Sequence, residues 1–369
     1  MYLKRLKLKN YRLFSEVDII FQQGMNVLIG KNSSGKSTIL EAIDFLLSTN
    51  NANVPAEEVI PYKMRNNSSV QVRIDGYFEM SDMEKESLCA VLDDPGDQKK
   101  IRDSHPELIY TKSIYKKDKM IRVEPSIKTN GNGITEDQNL MSTIFNSFLL
   151  KLQTNNVIKI TDVENNGSVQ KLRPLNELLL ESSHQSAVLH QYLRNSLYNM
   201  KVGNNEEFNK IRNEIKIAYP DLSDINIDIE FDPQRAQIQF YFIKPGSDIR
   251  MPLENEGAGI REFVYLLLTL HNFPDTVILK DEALVHLHKS LLNDYIVAID
   301  GLQYQMITTS HIKELIITLD FANIIICRKS DDASIVKNLG KVDELNKVLD
   351  DLGYSVEDIP EIDAFIRAK

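Results

Sequence analysis

The residues best suited to chemistry lie at positions 30–38, where Gly-Lys-Asn-Ser-Ser-Gly-Lys-Ser-Thr fits the G-x-x-x-x-G-K-[ST] pattern of a P-loop. Glycines allow backbone N–H groups to close around phosphate oxygens, and the start of a following helix adds a favourable dipole. Lys36 can then reach the β- and γ-phosphates, and the Ser37 hydroxyl can ligate Mg²⁺. The pattern therefore predicts a site for a nucleoside triphosphate, against the alternative of a chance glycine-rich turn.

Two carboxylates could complete this site. Residues 277–280 predict a buried strand, and Asp281 and Glu282 follow it directly. A P-loop enzyme needs acids at the C-terminal edge of its sheet, where Asp281 would hold the Mg²⁺ shell and Glu282 would orient or deprotonate the attacking water. An apolar strand followed by Asp-Glu is a weak signal by itself. The P-loop earlier in the chain makes the functional interpretation the favoured one.

Two further stretches could contact phosphate. His311 follows a predicted strand at 305–309 and could sense the γ-phosphate, although a histidine at a strand end is usually structural. Gly257, Ala258 and Gly259 open a predicted apolar helix. Glycines at a helix N-terminus form an anion-binding element. The alternative is a simple glycine turn before a core helix.

Hydrophobic periodicity predicts the elements that must position these residues. The fold class is α/β, with antiparallel N-terminal strands and a mostly parallel core sheet covered on both faces. We divide the chain into a nucleotide-binding domain split between residues 1–80 and 245–330, and an inserted, mixed but mainly helical arm at 81–244. A helical tail at 331–369 would serve packing or partner docking. We expect residues 93–103, which are charged and turn-rich, to form a mobile loop.

The charge balance restricts the partners. The net charge of −10 and the pI near 5.3 argue against a surface that is basic throughout, so nucleic-acid binding would need a local patch. The one candidate is a basic cluster near the N-terminus, which is either the solvated face of an edge strand or a strip that contacts phosphates. Its members are Lys4, Arg5, Lys7, Lys9 and Arg12.

Cysteine use and hydropathy point to the cytoplasm. Cys89 and Cys327 are too far apart in sequence to indicate a disulfide framework or a metal site, and they suit a reducing compartment. Residues 2–14 alternate basic and apolar side chains, unlike a signal peptide. The longest apolar runs, at 263–270 and 277–279, are far below the ~20 residues of a membrane helix. We expect a cytoplasmic protein with no membrane partner.

Taken together, these stretches resemble the ABC-type ATPases of the SMC, RecF and OLD (overcoming lysogenization defect) group. Residues 8–14 are similar to the group's L-x-N-[FY]-R-x-[FL] start, and residues 29–38 to its Walker A motif, including Asn32. Residues 281–288 are similar to the Walker B motif and D-loop of OLD-like proteins, and residues 308–311 to their switch. The similarity is closest to stand-alone OLD-like ATPase subunits of bacterial anti-phage systems.

The resemblance implies an ABC-type head in which two ATPs are sandwiched between two copies. Each P-loop then faces the signature helix of its partner, so Gly257, Ala258 and Gly259 would act in trans. Catalytic roles fall to Glu282, His311 and Lys36, with Ser37 and Asp281 as Mg²⁺ ligands. The implied ATP-binding residues are Arg12, Gly30, Asn32, Ser33, Ser34, Gly35, Lys36, Ser37 and Thr38.

Departures from the group's pattern affect the expected rate. Ala258 replaces the usual signature serine, Lys280 a usually apolar residue, and Ala283 the usual proline. These changes leave ATP binding intact and put the turnover rate in question. Residues 312–369 are too few for the Toprim nuclease domain of OLD nucleases, and no acidic metal-binding cluster is evident there.

The expected function is therefore an ATPase that dimerises, or forms a higher homo-oligomer, on ATP. It would act as a sensor or motor that controls a separate effector, either a nuclease or a toxin, in anti-phage defence. Two alternatives stay open. One is a DNA-repair ATPase of the RecF or SMC type that binds duplex DNA, and the other is a slow or non-hydrolysing scaffold that uses ATP to hold an assembly.

Overall fold

The computed structural model describes residues 2–48, 54–65, 70–80, 82–90, 94–103, 107–117, 119–129, 157–160, 171–175, 186–218, 226–243, 249–273, 276–283, 304–311, 323–329 and 334–339, with a few single positions between them. They fall into two compact units. Unit 1 comprises Met1–Ile158, Asp275–Asp281 and Gln305–Lys369, and unit 2 comprises Lys159–Pro274 and Glu282–Tyr304.

The described strands are β1 (Tyr2–Tyr11), β2 (Phe14–Ile20), β3 (Gly24–Ile29), β4 (Gln71–Glu79), β5 (Glu107–Lys117), β6 (Met120–Thr129), β7 (Val157–Ile160), β8 (Asn226–Asp232), β9 (Gln237–Ile243), β10 (Arg250–Pro252), β11 (Val277–Lys280), β12 (Gln305–Thr309), β13 (Ile324–Lys329) and β14 (Ser334–Asn338). The described α-helices are α1 (Lys36–Leu47), α2 (Ala56–Val59), α3 (Asp82–Cys89), α4 (Pro95–Asp103), α5 (Ser186–Gly203), α6 (Asn205–Ala218) and α7 (Ala258–Asn272). Short 3₁₀ turns lie at Tyr62–Met64 and Leu253–Asn255.

The first sheet of unit 1 is antiparallel, with the order β2-β1-β4-β5-β6. Leu6 and Leu8 of β1 are fully buried and alternate with Lys7 and Lys9, which lie on the opposite face, as the period of two requires. The antiparallel N-terminal strands are thus confirmed. The interpretation that places the basic cluster on an edge strand is wrong, because β1 pairs with β2 on one side and with β4 on the other.

The second sheet of unit 1 has the order β14-β13-β3-β12-β11-β7. Strands β11, β12, β3 and β13 run parallel, and β14 pairs antiparallel with β13. Every residue of β11 and β12 is buried, which is typical of a parallel sheet covered on both faces. The predicted mostly parallel core sheet is confirmed.

Helix α1 lies between these two sheets. It contacts β4 of the first sheet and β11 and β12 of the second. Eight of its twelve residues are buried, and its apolar side chains belong to one hydrophobic cluster with residues from both sheets. Gly76 of β4 allows the close approach, because a Cβ there would lie 2.5 Å from a methyl carbon of Leu46. The core of unit 1 is therefore built around the helix that follows the P-loop.

One predicted loop is a helix. Residues 95–103 form α4, where a mobile loop was expected. Pro95 occupies the first helical position, where its missing N–H costs nothing. The Asp94 carboxylate accepts a hydrogen bond from the Gly96 N–H (3.2 Å), and Ile101 is completely buried. A good start and one buried apolar contact outweigh the turn-forming composition.

In its described residues, unit 2 combines a small sheet with three helices. Strands β10, β9 and β8 pair antiparallel in that order, and α5, α6 and α7 pack against one another. No helix in the described part of the chain is long and apolar enough to cross a membrane.

The structure differs from the predicted domain boundaries in two places. The hairpin β5–β6 extends the first sheet through β4, so unit 1 continues well past residue 80. Residues 334–338 form β14 instead of beginning a helical tail. Much of the predicted arm between residues 130 and 185, and the predicted tail after residue 339, lie outside the described residues.

Candidate functional site

The P-loop connects the end of β3 at Ile29 to the start of α1 at Lys36. Gly30, Ser33 and Gly35 adopt positive φ angles of 151°, 64° and 104°. These angles turn the chain around the N-terminus of α1, and no side chain among the described residues caps that terminus. The first backbone N–H groups of α1 are therefore available to an anion, which the helix dipole also favours.

The two motif glycines are required by their surroundings. A Cβ at Gly30 would lie 2.0 Å from the Cys327 carbonyl oxygen on β13. A Cβ at Gly35 would lie 2.5 Å from the Phe14 ring and 3.0 Å from a Leu13 methyl carbon. The loop is held between β13 and the β1–β2 turn, so its shape is set by packing before any ligand is bound.

Lys36 and Ser34 line the inside of this loop. Lys36 is buried, and its Nζ donates to the carbonyl oxygens of Gly30 (2.6 Å) and Lys31 (3.1 Å). The Ser34 hydroxyl is fully buried and has no hydrogen-bond partner among the described residues. A buried ammonium, an unsatisfied hydroxyl and a helix N-terminus are the groups that a phosphate satisfies. Within the motif, Asn32 and Ser33 are exposed and Thr38 is half-buried.

Asp281 meets the P-loop helix at the edge of the parallel sheet. Strands β3, β12 and β11 are neighbours and end together, which brings the residues after them to one edge. The Ser37 hydroxyl donates to Asp281 Oδ2 (2.9 Å), and the Thr309 hydroxyl donates to Asp281 Oδ1 (2.5 Å). A hydroxyl beside a carboxylate is a hard-oxygen donor set that suits Mg²⁺, which commonly takes one or two carboxylates and the oxygens of substrate phosphates. The two predicted metal ligands are thus adjacent, and the donor set fits.

Arg12 lies beside α1 and is held in place. Its backbone is in the left-handed region (φ 50°), its Nε donates to the Glu58 carbonyl oxygen (2.6 Å), and its Nη1 pairs with Glu41 on α1. Glu41 is four residues after Ser37, one helical turn from the predicted metal ligand. Sequence reasoning did not identify Glu41, since nothing local indicates a partner 29 residues away.

Glu282 and His311 follow strands that end at the same sheet edge. Glu282 comes directly after Asp281, is exposed, and adopts a left-handed backbone (φ 51°), which is uncommon for a residue with a Cβ. Left-handed backbone at non-glycine residues is concentrated at functional sites. His311 is half-buried, and the Ser310 N–H before it donates to the Leu28 carbonyl oxygen on β3 (3.1 Å).

The predicted signature stretch opens α7 in unit 2. Gly257 is the N-cap of α7 and is exposed, while Ala258 and Gly259 are half-buried. A Cβ at Gly257 would meet nothing within 4 Å, so packing within the chain does not require glycine there. An open helix N-terminus without a capping side chain can accept an anion.

Arg194 supports the turn that leads into α7. This side chain is 2% exposed, and its Nε donates to the Tyr265 hydroxyl on α7 (2.7 Å). Its Nη2 pairs with Glu254, which lies in the 3₁₀ turn just before Gly257. This contact could not be predicted from the sequence, because an arginine on an amphipathic helix usually lies on the solvated face.

Comparison with known proteins gives local and global similarity. The chain is 35% identical over 80 residues to the DNA replication and repair protein RecF of Halalkalibacterium halodurans, a match covering 21% of this chain and 20% of that protein. It is 38% identical over 60 residues to the DNA double-strand break repair Rad50 ATPase of Thermoplasma volcanium, covering 16% of this chain and 7% of the relative. The matches therefore span only a small part of these curated relatives.

Solved SMC head domains share the fold over nearly the whole chain. An SMC head bound to the C-winged helix domain of ScpA has a TM-score of 0.57 at 18% identity and covers 94% of this chain and 99% of that chain. The SMC head domain from Thermotoga maritima has a TM-score of 0.51 at 13% identity, covering 92% of this chain and 100% of that chain. The predicted P-loop fold of the ABC-ATPase head type is confirmed.

A family model places the chain more directly. The model described as AAA ATPase domain matches residues 1–317, which include the P-loop, Asp281, Glu282 and His311. With that match, the SMC-head fold and the local similarity to RecF, the chain belongs to the AAA ATPase domain family.

Proposed function

We propose that the protein binds ATP with Mg²⁺ and hydrolyses it to ADP and phosphate. The observation that carries this proposal is the hydrogen bond between Ser37 and Asp281, residues 244 positions apart in sequence. It joins the start of the P-loop helix to the acid that directly follows β11. Among P-loop enzymes this pairing serves a metal–triphosphate complex, and the family match supports the same chemistry.

The residues of the site would share the work as follows. The N-terminus of α1, Lys36 and Ser34 would bind the phosphates, while Ser37 and Asp281 would hold Mg²⁺. The ion, when bound, supplies positive charge beside the phosphate oxygens. Glu282 and His311 would take part in the reaction itself. Glu282 would orient the attacking water or take its proton, and His311 would hydrogen-bond near the γ-phosphate.

The proposal includes an ATP-dependent homodimer. The open N-terminus of α7 would bind the nucleotide held by a second copy, through Gly257, Ala258 and Gly259. Because Ala258 lacks the hydroxyl of the usual signature serine, one hydrogen bond to the γ-phosphate is missing. Turnover is expected to be slow for that reason.

In the cell, we propose, this ATPase acts in the cytoplasm as a sensor or motor that controls a separate effector protein in anti-phage defence. The support is the resemblance of residues 281–288 and 308–311 to the corresponding motifs of OLD-like ATPases. Purification of the untagged chain from its host, followed by identification of co-purifying proteins, tests this part. Recovery of the chain alone, both with and without ATP, would count against it.

The binding step is tested by Lys36→Ala, with Lys63→Ala as the matched control. Lys63 is an exposed lysine in the Tyr62–Met64 turn, so its removal changes the net charge equally without touching the loop. Calorimetric titration should show no ATP binding by the first variant and unchanged affinity for the second. Wild-type affinity in Lys36→Ala would refute the P-loop assignment.

The dimer is tested by Glu282→Gln, which keeps the size of the side chain and removes its capacity to accept a proton. We expect this variant to accumulate an ATP-bound dimer, visible as a doubled mass in light scattering. The hydrolysis rate should fall together with the rise in mass. A mass that does not respond to ATP in either the variant or the wild type would contradict the dimer.

A second function, binding of duplex DNA, is favoured by the local similarity to RecF and Rad50. Two basic residues of β1 are paired with acids, Arg5 with Asp18 and Lys4 with Glu79. The surface of β1 is therefore less basic than the sequence of the strand alone indicates. DNA binding through β1 would weaken steeply with salt, since phosphate contacts release counterions. Absence of ATP-dependent binding at low salt would exclude this function.

A further inference from the structure

Both oxygens of the Asp281 carboxylate accept a hydrogen bond from a hydroxyl. Ser37 donates to Oδ2 from α1, and Thr309 donates to Oδ1 from the end of β12. The first contact belongs to the P-loop pattern. The second involves Thr309, which has no individual role in the proposed function. The inference drawn from this contact rests on that function, in which Asp281 holds Mg²⁺.

The register of the sheet places Thr309 at this position. Strands β11 and β12 are parallel, with Lys280 opposite Thr308, so the next residues along both strands, Asp281 and Thr309, lie side by side. Successive side chains of a strand point to opposite faces. Thr309 therefore lies on the face of Ile307, which belongs to the hydrophobic cluster around α1.

Thr309 is a rigid donor. Its side chain is 0% exposed, and a β-branched residue has few χ1 rotamers, so the position of its hydroxyl is fixed by the strand. Asp281 is exposed, and the terminal torsion of an aspartate is broad when nothing restrains it. With Ser37 alone the carboxylate plane could still rotate about one hydrogen bond. A second hydrogen bond to the other oxygen fixes that plane.

We propose that Thr309 is a positioning residue for Mg²⁺, acting by fixing the orientation of the Asp281 carboxylate. Hydrogen-bond partners of metal ligands orient those ligands, and their removal lowers metal affinity by about 10–100-fold. The effect should appear only where the metal contributes to binding. ATP without Mg²⁺ contacts the P-loop and does not use the orientation of Asp281.

The test compares Thr309→Val with Thr308→Val, two isosteric changes at adjacent buried positions. Thr308 is also 0% exposed, but it lies on the opposite face of β12, and its hydroxyl donates to the Thr309 carbonyl oxygen. Thr309→Ser is the rescue variant, because it retains the hydroxyl. Mn²⁺ serves as a paramagnetic probe for Mg²⁺, and its binding in the presence of ATP is measured by electron paramagnetic resonance.

We expect Thr309→Val to weaken Mn²⁺ binding by about 10–100-fold. In calorimetry, its affinity for ATP should fall in Mg²⁺ and stay unchanged in EDTA. Thr308→Val and Thr309→Ser should both bind Mn²⁺ as the wild type does. Equal losses in Mg²⁺ and EDTA, equal losses in the two valine variants, or no loss in Thr309→Val would each overturn the proposal.

Two controls separate this inference from the function on which it rests. Circular dichroism and thermal melting establish that each variant is folded. If the wild type binds no ATP at all, the proposed function fails. If the wild type binds ATP with Mg²⁺ and Thr309→Val retains full Mn²⁺ affinity, the role of Thr309 fails alone.

Discussion

Substitution of Gly30 by alanine gives the sharpest test of how the P-loop is held. Gly30 has φ 151°, and a Cβ there would lie 2.0 Å from the Cys327 carbonyl oxygen. Real Cβ atoms do not approach another heavy atom within 3.0 Å, so the loop or β13 must move by about 1 Å. Strand β13 pairs directly with β3, so it cannot move without disturbing the ladder at the end of β3.

The magnitude follows from two separate costs. An alanine at a positive φ costs about 1–3 kcal/mol of backbone strain. Overpacking against a fixed backbone atom costs about another 1–3 kcal/mol. Gly24 separates the two, because it also has a positive φ (77°) but a Cβ there would meet nothing within 4 Å. Gly24→Ala should therefore show the strain alone, and Gly30→Ala the sum.

Urea unfolding followed by far-ultraviolet circular dichroism measures the difference, since the chain has no tryptophan to serve as a fluorescent probe. At an unchanged m-value, Gly30→Ala should lose about 1–3 kcal/mol more than Gly24→Ala. ATP affinity should fall in Gly30→Ala and persist in Gly24→Ala. Equal stability losses in the two variants would refute the claim that contact with β13 shapes the loop.

Two further predictions concern buried polar groups. Burial lowers the pKa of Lys112 from 10.5 to about 7, while its Nζ donates to the carbonyl oxygens of Phe45 and Ser48. The unfolded chain binds this proton more tightly, so Lys112 makes the unfolding free energy rise with pH between about 7 and 10.5, by up to ~1.4 kcal/mol per pH unit. Lys112→Met should remove that slope, as measured by urea titrations at several pH values. Gln305 is buried and exchanges two hydrogen bonds with the Leu3 backbone, both at 2.8 Å, so Gln305→Leu should lower the unfolding free energy by about 1–3 kcal/mol; an unchanged urea midpoint would contradict this.

Local pattern was sufficient for the elements whose signal is local. The P-loop spacing, the alternation along β1 and the apolar run at 277–279 in β11 each predict the local structure that is observed. The position of β1 inside its sheet could not be predicted, because it depends on pairing with β4 rather than on the composition of β1.

The features of the site that could not be predicted are contacts between residues far apart in sequence. Thr309 and Asp281 are 28 residues apart, and Arg194 and Glu254 are 60 apart. Each contact exists because the fold brings two elements together, and the residue types alone do not distinguish these side chains from ordinary polar ones. The start of α4 was missed for a different reason, since a Pro-Gly pair after two aspartates is equally compatible with a turn.

The placement of α1 between the two sheets has a mechanical consequence. The helix is twelve residues long, about 18 Å, with the phosphate-binding loop at one end and the Lys112 ammonium at the other. It thus acts as a strut that joins the P-loop to β5. Any axial displacement of α1 by the nucleotide would change the distances from Lys112 Nζ to the carbonyl oxygens at the end of the helix. The displacement would thereby reach β5 in the antiparallel sheet, ~18 Å from the phosphates.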